Sequence, residues 1–304
     1  MTSLMYVFCL LVWGLNFIAV KIQGTPVSLE LSLTYRLIMT AILFNILVII
    51  IKPKGRPSKQ DIPYVIVFGV CNFALSYLCL YYATILSSAA IVTLIFSLKV
   101  ILTPIALRIF LKENLHSRIL VGGIFGVLGV VILIYPNLNE IHNFNDIKGI
   151  LIAILGTIIT AIGDASSARN AKKKVDPIYA NAIGFIAGGI LLGSVVLFQG
   201  QDISIPTSIP YLSALLYLTL LASFTAWFFY LKLVEKIGGA QSGYMVALFP
   251  AIGGVASVLI GESNPSIYLL LGCLSSCVGA AIALGLGKGL WNIIFNRKSS
   301  VNAK

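Results

Sequence analysis

Long apolar runs, broken by short stretches of Pro, Gly and charge, divide the chain into ten candidate helices. They fall at about residues 4–21, 29–51, 62–82, 87–111, 118–135, 147–168, 177–198, 210–231, 239–260 and 266–287. Each approaches or exceeds the roughly 20 apolar residues that an α-helix needs to cross a bilayer. The pattern predicts an all-α integral membrane protein with ten transmembrane helices. The connections hold residues suited to turns and helix starts: Pro57 and Pro63 before the third span, Asp176-Pro177 before the seventh, Pro206 and Pro210 before the eighth. The first run lacks the basic leader of a secretory signal. It carries Trp13, Asn16 and Lys21 where small cleavage-site residues would stand, so it reads as a retained span.

Composition agrees with this reading. Of 304 residues, 59% are hydrophobic and 10% charged, against about 25% charged in an ordinary soluble domain. That excludes a disordered chain, argues against a soluble one and leaves no length for a soluble catalytic domain. The net charge of +11 raises the question of a nucleic-acid partner, and position answers it. With both termini inside, the loops and tail assigned to the cytoplasm hold 17 of the 21 Lys and Arg residues. The opposite side has only Lys21 and Lys148, and Arg36 and Lys99 fall within spans. Asp and Glu show no such bias, as expected of a topology signal. The expected partner is therefore the lipid bilayer, not nucleic acid. The expected location is the plasma membrane, a bacterial inner membrane, with cytoplasmic N- and C-termini.

Neither a cofactor nor a metal site is expected. His116 and His142 sit in loops on opposite sides, and the five Cys residues all lie in spans, where they serve as small packing residues. Cys273 and Cys277 share a helix face but lack a nearby His or third Cys. There is no P-loop and no dinucleotide fingerprint, which removes ATP as a direct energy source.

An offset of 149 residues superimposes the two halves. It pairs Gly14 with Gly163, Pro57 with Pro206, Tyr81 with Tyr230, Glu113 with Glu262 and Gly123 with Gly272. The Glu pair carries most weight, since acidic residues are few and each of these two ends an apolar helix just before the next begins. Five spans per half place the second half in the opposite orientation, giving two inverted five-helix repeats. That is a recurrent transporter architecture, with substrate bound at the repeat interface near the midplane.

The segment Trp13-Gly14-Leu15-Asn16-Phe17-Ile18-Ala19-Val20-Lys21 resembles the opening motif of EamA-like members of the drug/metabolite transporter superfamily. Tyr35-Arg36 is similar to that family's Arg-containing second helix. Phe110-Leu111-Lys112-Glu113 and Leu259-Ile260-Gly261-Glu262 resemble its helix-ending Glu in each half. The resemblance implies two tandem EamA-like domains, residues 1–137 and 147–287, followed by a basic cytoplasmic tail, 288–304. It also implies export or exchange of small metabolites, often amino acids or related compounds. The family's Pro twelve residues before the Glu is matched by Pro250, but Ile101 holds that place in the first half, with Pro104 displaced by three. Lys99 lies outside the motif.

Ionisable and polar groups within spans mark the candidate pathway, because each is costly in lipid. Lys99 lies about twelve residues into a span of about 25, with Thr103 one turn on. It suits a substrate or coupling-ion ligand, or a structural pair. The matching face of span nine offers Gln241 and Tyr244. Arg36, about seven residues from the outer end of span two, suits an ion pair, a headgroup contact or coupling. Asp164 in span six suits proton coupling or a pair with Arg169 or a Lys of the next loop. Asn16, Asn72 and Ser76 line a polar track or bond helix to helix. Tyr77 and Trp227 suit substrate stacking, whereas Tyr81 and Tyr230 near span ends suit an interfacial belt. Pro104 and Pro250 are candidate bending points that free the carbonyls of Val100 and Val246. Gly pairs such as Gly122 with Gly126 and Gly184 with Gly188 suit close helix packing.

The sequence thus reads as a secondary transporter of a small metabolite, an exporter or exchanger, with an amino acid or related compound as the first guess and Lys99 receiving its carboxylate. The alternatives are a passive channel and an intramembrane lipid-modifying enzyme. Monomer and homodimer both stay open.

Overall fold

A computed structural model describes residues 2–114, 117–135, 144–262 and 264–284, and every regular element among them is helical. We number the helices α1 (Thr2–Gln23), α2 (Leu29–Ile51), α3 (Ile62–Leu86), α4 (Ala89–Leu111), α5 (Ser117–Ile134), α6 (Phe144–Lys172), α7 (Pro177–Phe198), α8 (Ile209–Ile237), α9 (residues 239–259) and α10 (Ile267–Leu284). Among the described residues, seven of these, α1 to α4 and α6 to α8, are long and apolar enough to cross a membrane, while α5, α9 and α10 contain shorter apolar helices. Their outward faces are aliphatic: Ile42, Ile49, Ile190, Leu197 and Leu259 are all exposed. A surface of this kind suits lipid, in which backbone groups must be satisfied within the helices.

Local chemistry sets the helix ends. Ser28 and Ser88 accept from the backbone N–H groups of Leu31 and Ile91 at 3.2 Å, and Asp176 accepts from Ile178 at 2.8 Å, starting α2, α4 and α7. Lys112 (φ 56°) and Gly261 (φ 73°) terminate α4 and α9 in left-handed conformations, 149 residues apart.

The interruptions repeat as well. A π-helical stretch, Val70–Leu75, lies within α3, and another, Tyr217–Thr225, lies at the corresponding place in α8. Helix α4 breaks at Leu98, whose N–H turns back to Ile95 at 3.0 Å. In α9 the counterpart is a 3₁₀ turn, Tyr244–Leu248. Packing follows the same rule, because α2 packs on α7, α5 on α10 and α4 on α9, while α1 against α8 mirrors α6 against α3.

Small residues bring the closest pairs together. The Cα of Gly184 would lie 2.2 Å from a Cβ on Gly69, and the carbonyl oxygen of Gly122 2.4 Å from one on Gly279. The sequence-based expectation that these glycines serve packing is consistent with those approaches.

Basic loops gather at one end. Arg169 pairs with Asp61 at 2.7 Å and stacks 3.7 Å over Tyr64, and Lys172 pairs with Glu113 at 2.6 Å. At the other end Glu262 accepts from the Ala89 N–H at 3.0 Å and pairs with Lys21 at 3.4 Å. Hydrogen bonds from Ser58, then from Arg169, hold the Asp61 carboxyl below its ordinary pKa. A lowered folded pKa contributes stability above the unfolded value and loses it as pH falls through the folded one. Asp61→Asn is therefore expected to lower Tm modestly near neutrality and to flatten the acid side of a plot of Tm against pH in detergent, the two proteins converging at low pH.

Candidate functional site

A narrow cavity opens between α1, α3, α4, α6, α8 and α9, and thus between the two halves of the chain. Its lining includes Asn16, Asn72, Tyr77, Lys99 and Trp227 of the sequence-derived candidates. It adds Trp13, Phe17, Tyr81, Phe96, Thr160 and Phe249, which sequence reasoning did not single out as lining. Trp13 and Phe17 flank Asn16 by three residues and one, so helical spacing around a polar residue was the available signal.

Lys99 is buried, and its Nζ lies 2.9 Å from Asp164 Oδ2, which also accepts from Thr103 Oγ1 at 2.8 Å. Phe96 and Tyr230 face the ammonium at 5.5 and 5.4 Å. The free positive charge expected at Lys99 is therefore matched internally. The pairing of Asp164 with Arg169 does not form, since Arg169 is engaged by Asp61. The reason is length: α6 runs to Lys172, so Asp164 lies two turns inside the helix, where it is 2% exposed.

Arg36 does not snorkel. It is wholly buried (0% exposed), and its Nε donates to Ser223 Oγ at 2.7 Å, Nη1 to Tyr81 Oη at 3.2 Å and Nη2 to Asn16 Oδ1 at 3.3 Å. Its guanidinium lies 4.4 Å over the Tyr77 ring. Among the described residues no carboxylate stands within 4.0 Å of it; its ion-pairing candidate role finds no partner there.

Trp227 Nε1 donates to Tyr77 Oη at 2.5 Å, and Trp13 lies against both Trp227 and Tyr230 with ring centroids 5.1 Å away. Tyr81 and Tyr230 are buried at 2% and 1% exposure, so they are interior residues and not a belt. Helices α3 and α8 continue several residues past the apolar runs that suggested their ends. Ser76 hydrogen-bonds Thr160 across α3 and α6. Asn72 is 1% exposed, and neither its Oδ1 nor its Nδ2 finds a hydrogen-bond partner.

The two prolines act differently. Pro250 follows directly on the 3₁₀ turn of α9, where the Phe249 N–H bonds the Val246 carbonyl, so that carbonyl is not free. Pro104 sits within the regular Lys99–Leu111 helix, and α4 breaks instead at Leu98. The side chains of Gln241 and Tyr244, together with His116, His142 and the tail 288–304, lie outside the described residues.

Three comparisons bear on this architecture. The model of the EamA-like transporter family matches residues 1–135 and 147–285. An uncharacterized transporter of Archaeoglobus fulgidus is 24% identical over 255 residues, covering 82% of this chain and 87% of its own. The uncharacterized transporter YyaM of Bacillus subtilis is 23% identical over 239 residues, covering 77% and 76%. A solved crystal structure superimposes with a TM-score of 0.74 over 95% of this chain and 98% of its own, at 20% identity, which shows a shared fold. With the tandem family match spanning nearly all of a helical, lipid-faced chain, this protein belongs to the EamA-like transporter family, within the drug/metabolite transporter superfamily, and is a membrane transporter.

Proposed function

We propose that the protein is a secondary active transporter that moves a small metabolite by alternating access between two inverted five-helix repeats. The observation that carries this reading is the cavity at the junction of the two halves, lined by polar and aromatic groups of α1, α3, α4, α6, α8 and α9. The offset of 149 residues shared by the left-handed helix ends, and the corresponding π-helical stretches, support a repeated unit. In this reading all ten helices cross the bilayer, α5, α9 and α10 included. The distribution of Lys and Arg supports cytoplasmic termini in the plasma membrane, the inner one where a bacterial cell has two.

Ion pairs at the two ends fit such a cycle. Glu262 joins Lys21 and the start of α4 at one end, and Glu113 joins Lys172 at the other. Two similar bundles provide two packings of nearly equal energy, which is what alternating access needs. The substrate is an amino acid or related compound, exported or exchanged, and Asn16, Asn72, Tyr77 and Trp227 are its candidate contacts, with Ser76 and Thr103 behind them.

Counterflow tests this. Proteoliposomes preloaded with unlabelled amino acid should take up the same labelled compound faster than empty ones, saturably and without ATP. Linear flux with no stimulation from the trans side would instead identify a passive channel.

A further inference from the structure

We infer that Arg36 is the anchor for a carboxylate of the transported molecule, with Asn72 receiving a second hydrogen-bonding group of the same molecule. The inference rests on the transporter reading above and adds to it the residues that would hold the two polar groups of the substrate.

The argument begins with charge. Three ionised side chains are buried around the cavity, and two of them, Lys99 and Asp164, neutralise each other at 2.9 Å. Arg36 is left with hydroxyl and amide partners and the Tyr77 ring, and with no carboxylate within 4.0 Å among the described residues. The acidic residue nearest to it along α2, Glu30, lies more than a helical turn earlier and accepts from Tyr82 Oη at 2.5 Å. An uncompensated buried cation is costly even after relaxation, and most so within lipid. A site that keeps one has a use for an anion that comes and goes.

Position supplies the second step. Asn16 and Tyr81, which accept from Arg36, and Tyr77, which lies under it, all line the cavity. Arg36 itself lies behind these residues, so a carboxylate in the cavity reaches the guanidinium by displacing the neutral acceptors, and gains charge-assisted hydrogen bonds in their place. Two neutral partners are easily exchanged for a charged one, whereas a fixed Asp would have closed the site.

Asn72 supplies the third. It lines the same cavity, on the π-helical stretch of α3, and both its polar atoms are buried without a partner. An orphaned amide of this kind is destabilising, and a ligand's amino or hydroxyl group would offset that. Much of the remaining lining is aromatic, with Trp13, Phe96 and Phe249 among it, which suits a molecule with an apolar body.

The test uses the full-length protein purified in detergent, with leucine, methionine and phenylalanine as probes against leucinamide, methioninamide and phenylalaninamide. Binding is read by thermal shift, since a ligand of the native state raises Tm. At least one amino acid should stabilise the wild type, and its amide should bind about tenfold to a hundredfold more weakly. Arg36→Gln should erase that difference, while Asn72→Ala should weaken acid and amide by the same factor. The inference is overturned if none of the amino acids binds, if amides bind as well as acids, or if Arg36→Gln keeps the preference. Should Arg36→Gln fail to fold, the comparison of acid with amide on the wild type still decides. Failure of the transporter reading is a separate result, because it is read from flux into proteoliposomes and not from binding in detergent.

Discussion

Lys99→Met is expected to destabilise the protein by about 3–5 kcal/mol, and adding Asp164→Leu to it is expected to restore most of the loss. The ammonium and the carboxylate are 3% and 2% exposed and 2.9 Å apart, with Thr103 donating to the same carboxylate oxygen. Removing the lysine leaves a buried negative charge with one hydroxyl donor, and the other oxygen, Oδ1, already lacks a partner. Replacing both residues removes the charge together with its need for solvation, so the double variant keeps only a packing defect. Thermal or denaturant unfolding of the four proteins in one detergent gives the coupling energy directly. A single variant as stable as the wild type would show that the pair contributes nothing to the fold.

Gly69→Ala should be the most damaging glycine-to-alanine change among the described residues. Its Cβ would stand 2.2 Å from Gly184 Cα and 2.3 Å from Gly184 O, both backbone atoms of α7 that no rotamer change can move. Helices α3 and α7 must part, and that also pulls at Phe73 and Phe185, whose rings stack 3.7 Å apart at 3°. Overpacking typically costs about 1–3 kcal/mol, and rigid backbone on both sides puts this site at or above the upper end. Gly193→Ala is the matching control on α7, because its nearest neighbour is Thr34 Cγ2 at 3.7 Å, ordinary van der Waals contact. The expected order of Tm is wild type close to Gly193→Ala, with Gly69→Ala far below both. Equal Tm values for the two alanine variants would show that α3 and α7 separate without cost.

The helices were legible in the sequence because long apolar runs follow from transfer of residues between water and lipid, which acts on each residue almost independently. Glu113 and Glu262 marked the repeat for a similar reason: each ends a helix locally, whatever surrounds it. Pairing across helices was not legible. Nothing in the hydropathy of α4 and α6 says that Lys99 and Asp164 point at each other, since that depends on how two cylinders are rotated. Depth was misjudged wherever a helix outran its apolar stretch. Tyr81 and Tyr230 read as span-end residues because the apolar runs stop before α3 and α8 do. Arg36 and Asn16 stood out individually as polar groups in spans, but their hydrogen bond across α1 and α2 belongs to tertiary structure alone.

The π-helical stretches of α3 and α8 carry a consequence for register. A π turn accommodates one residue more than the α-helical path it replaces, and one residue corresponds to about 100° of rotation about the helix axis. Asn72 lies within such a stretch, and Tyr77 and Tyr81 follow it. Were Val70–Leu75 to wind as unbroken α-helix with every residue kept, the part of α3 that follows would rotate by about 100° relative to the part before it. The half beyond would then turn away from the cavity and carry the Tyr77 ring from beneath Arg36 and the Tyr81 hydroxyl out of its reach. The surplus residue works as a phase setting: it lets the first part of the helix face its packing partners at one angle and the second part face the cavity at another.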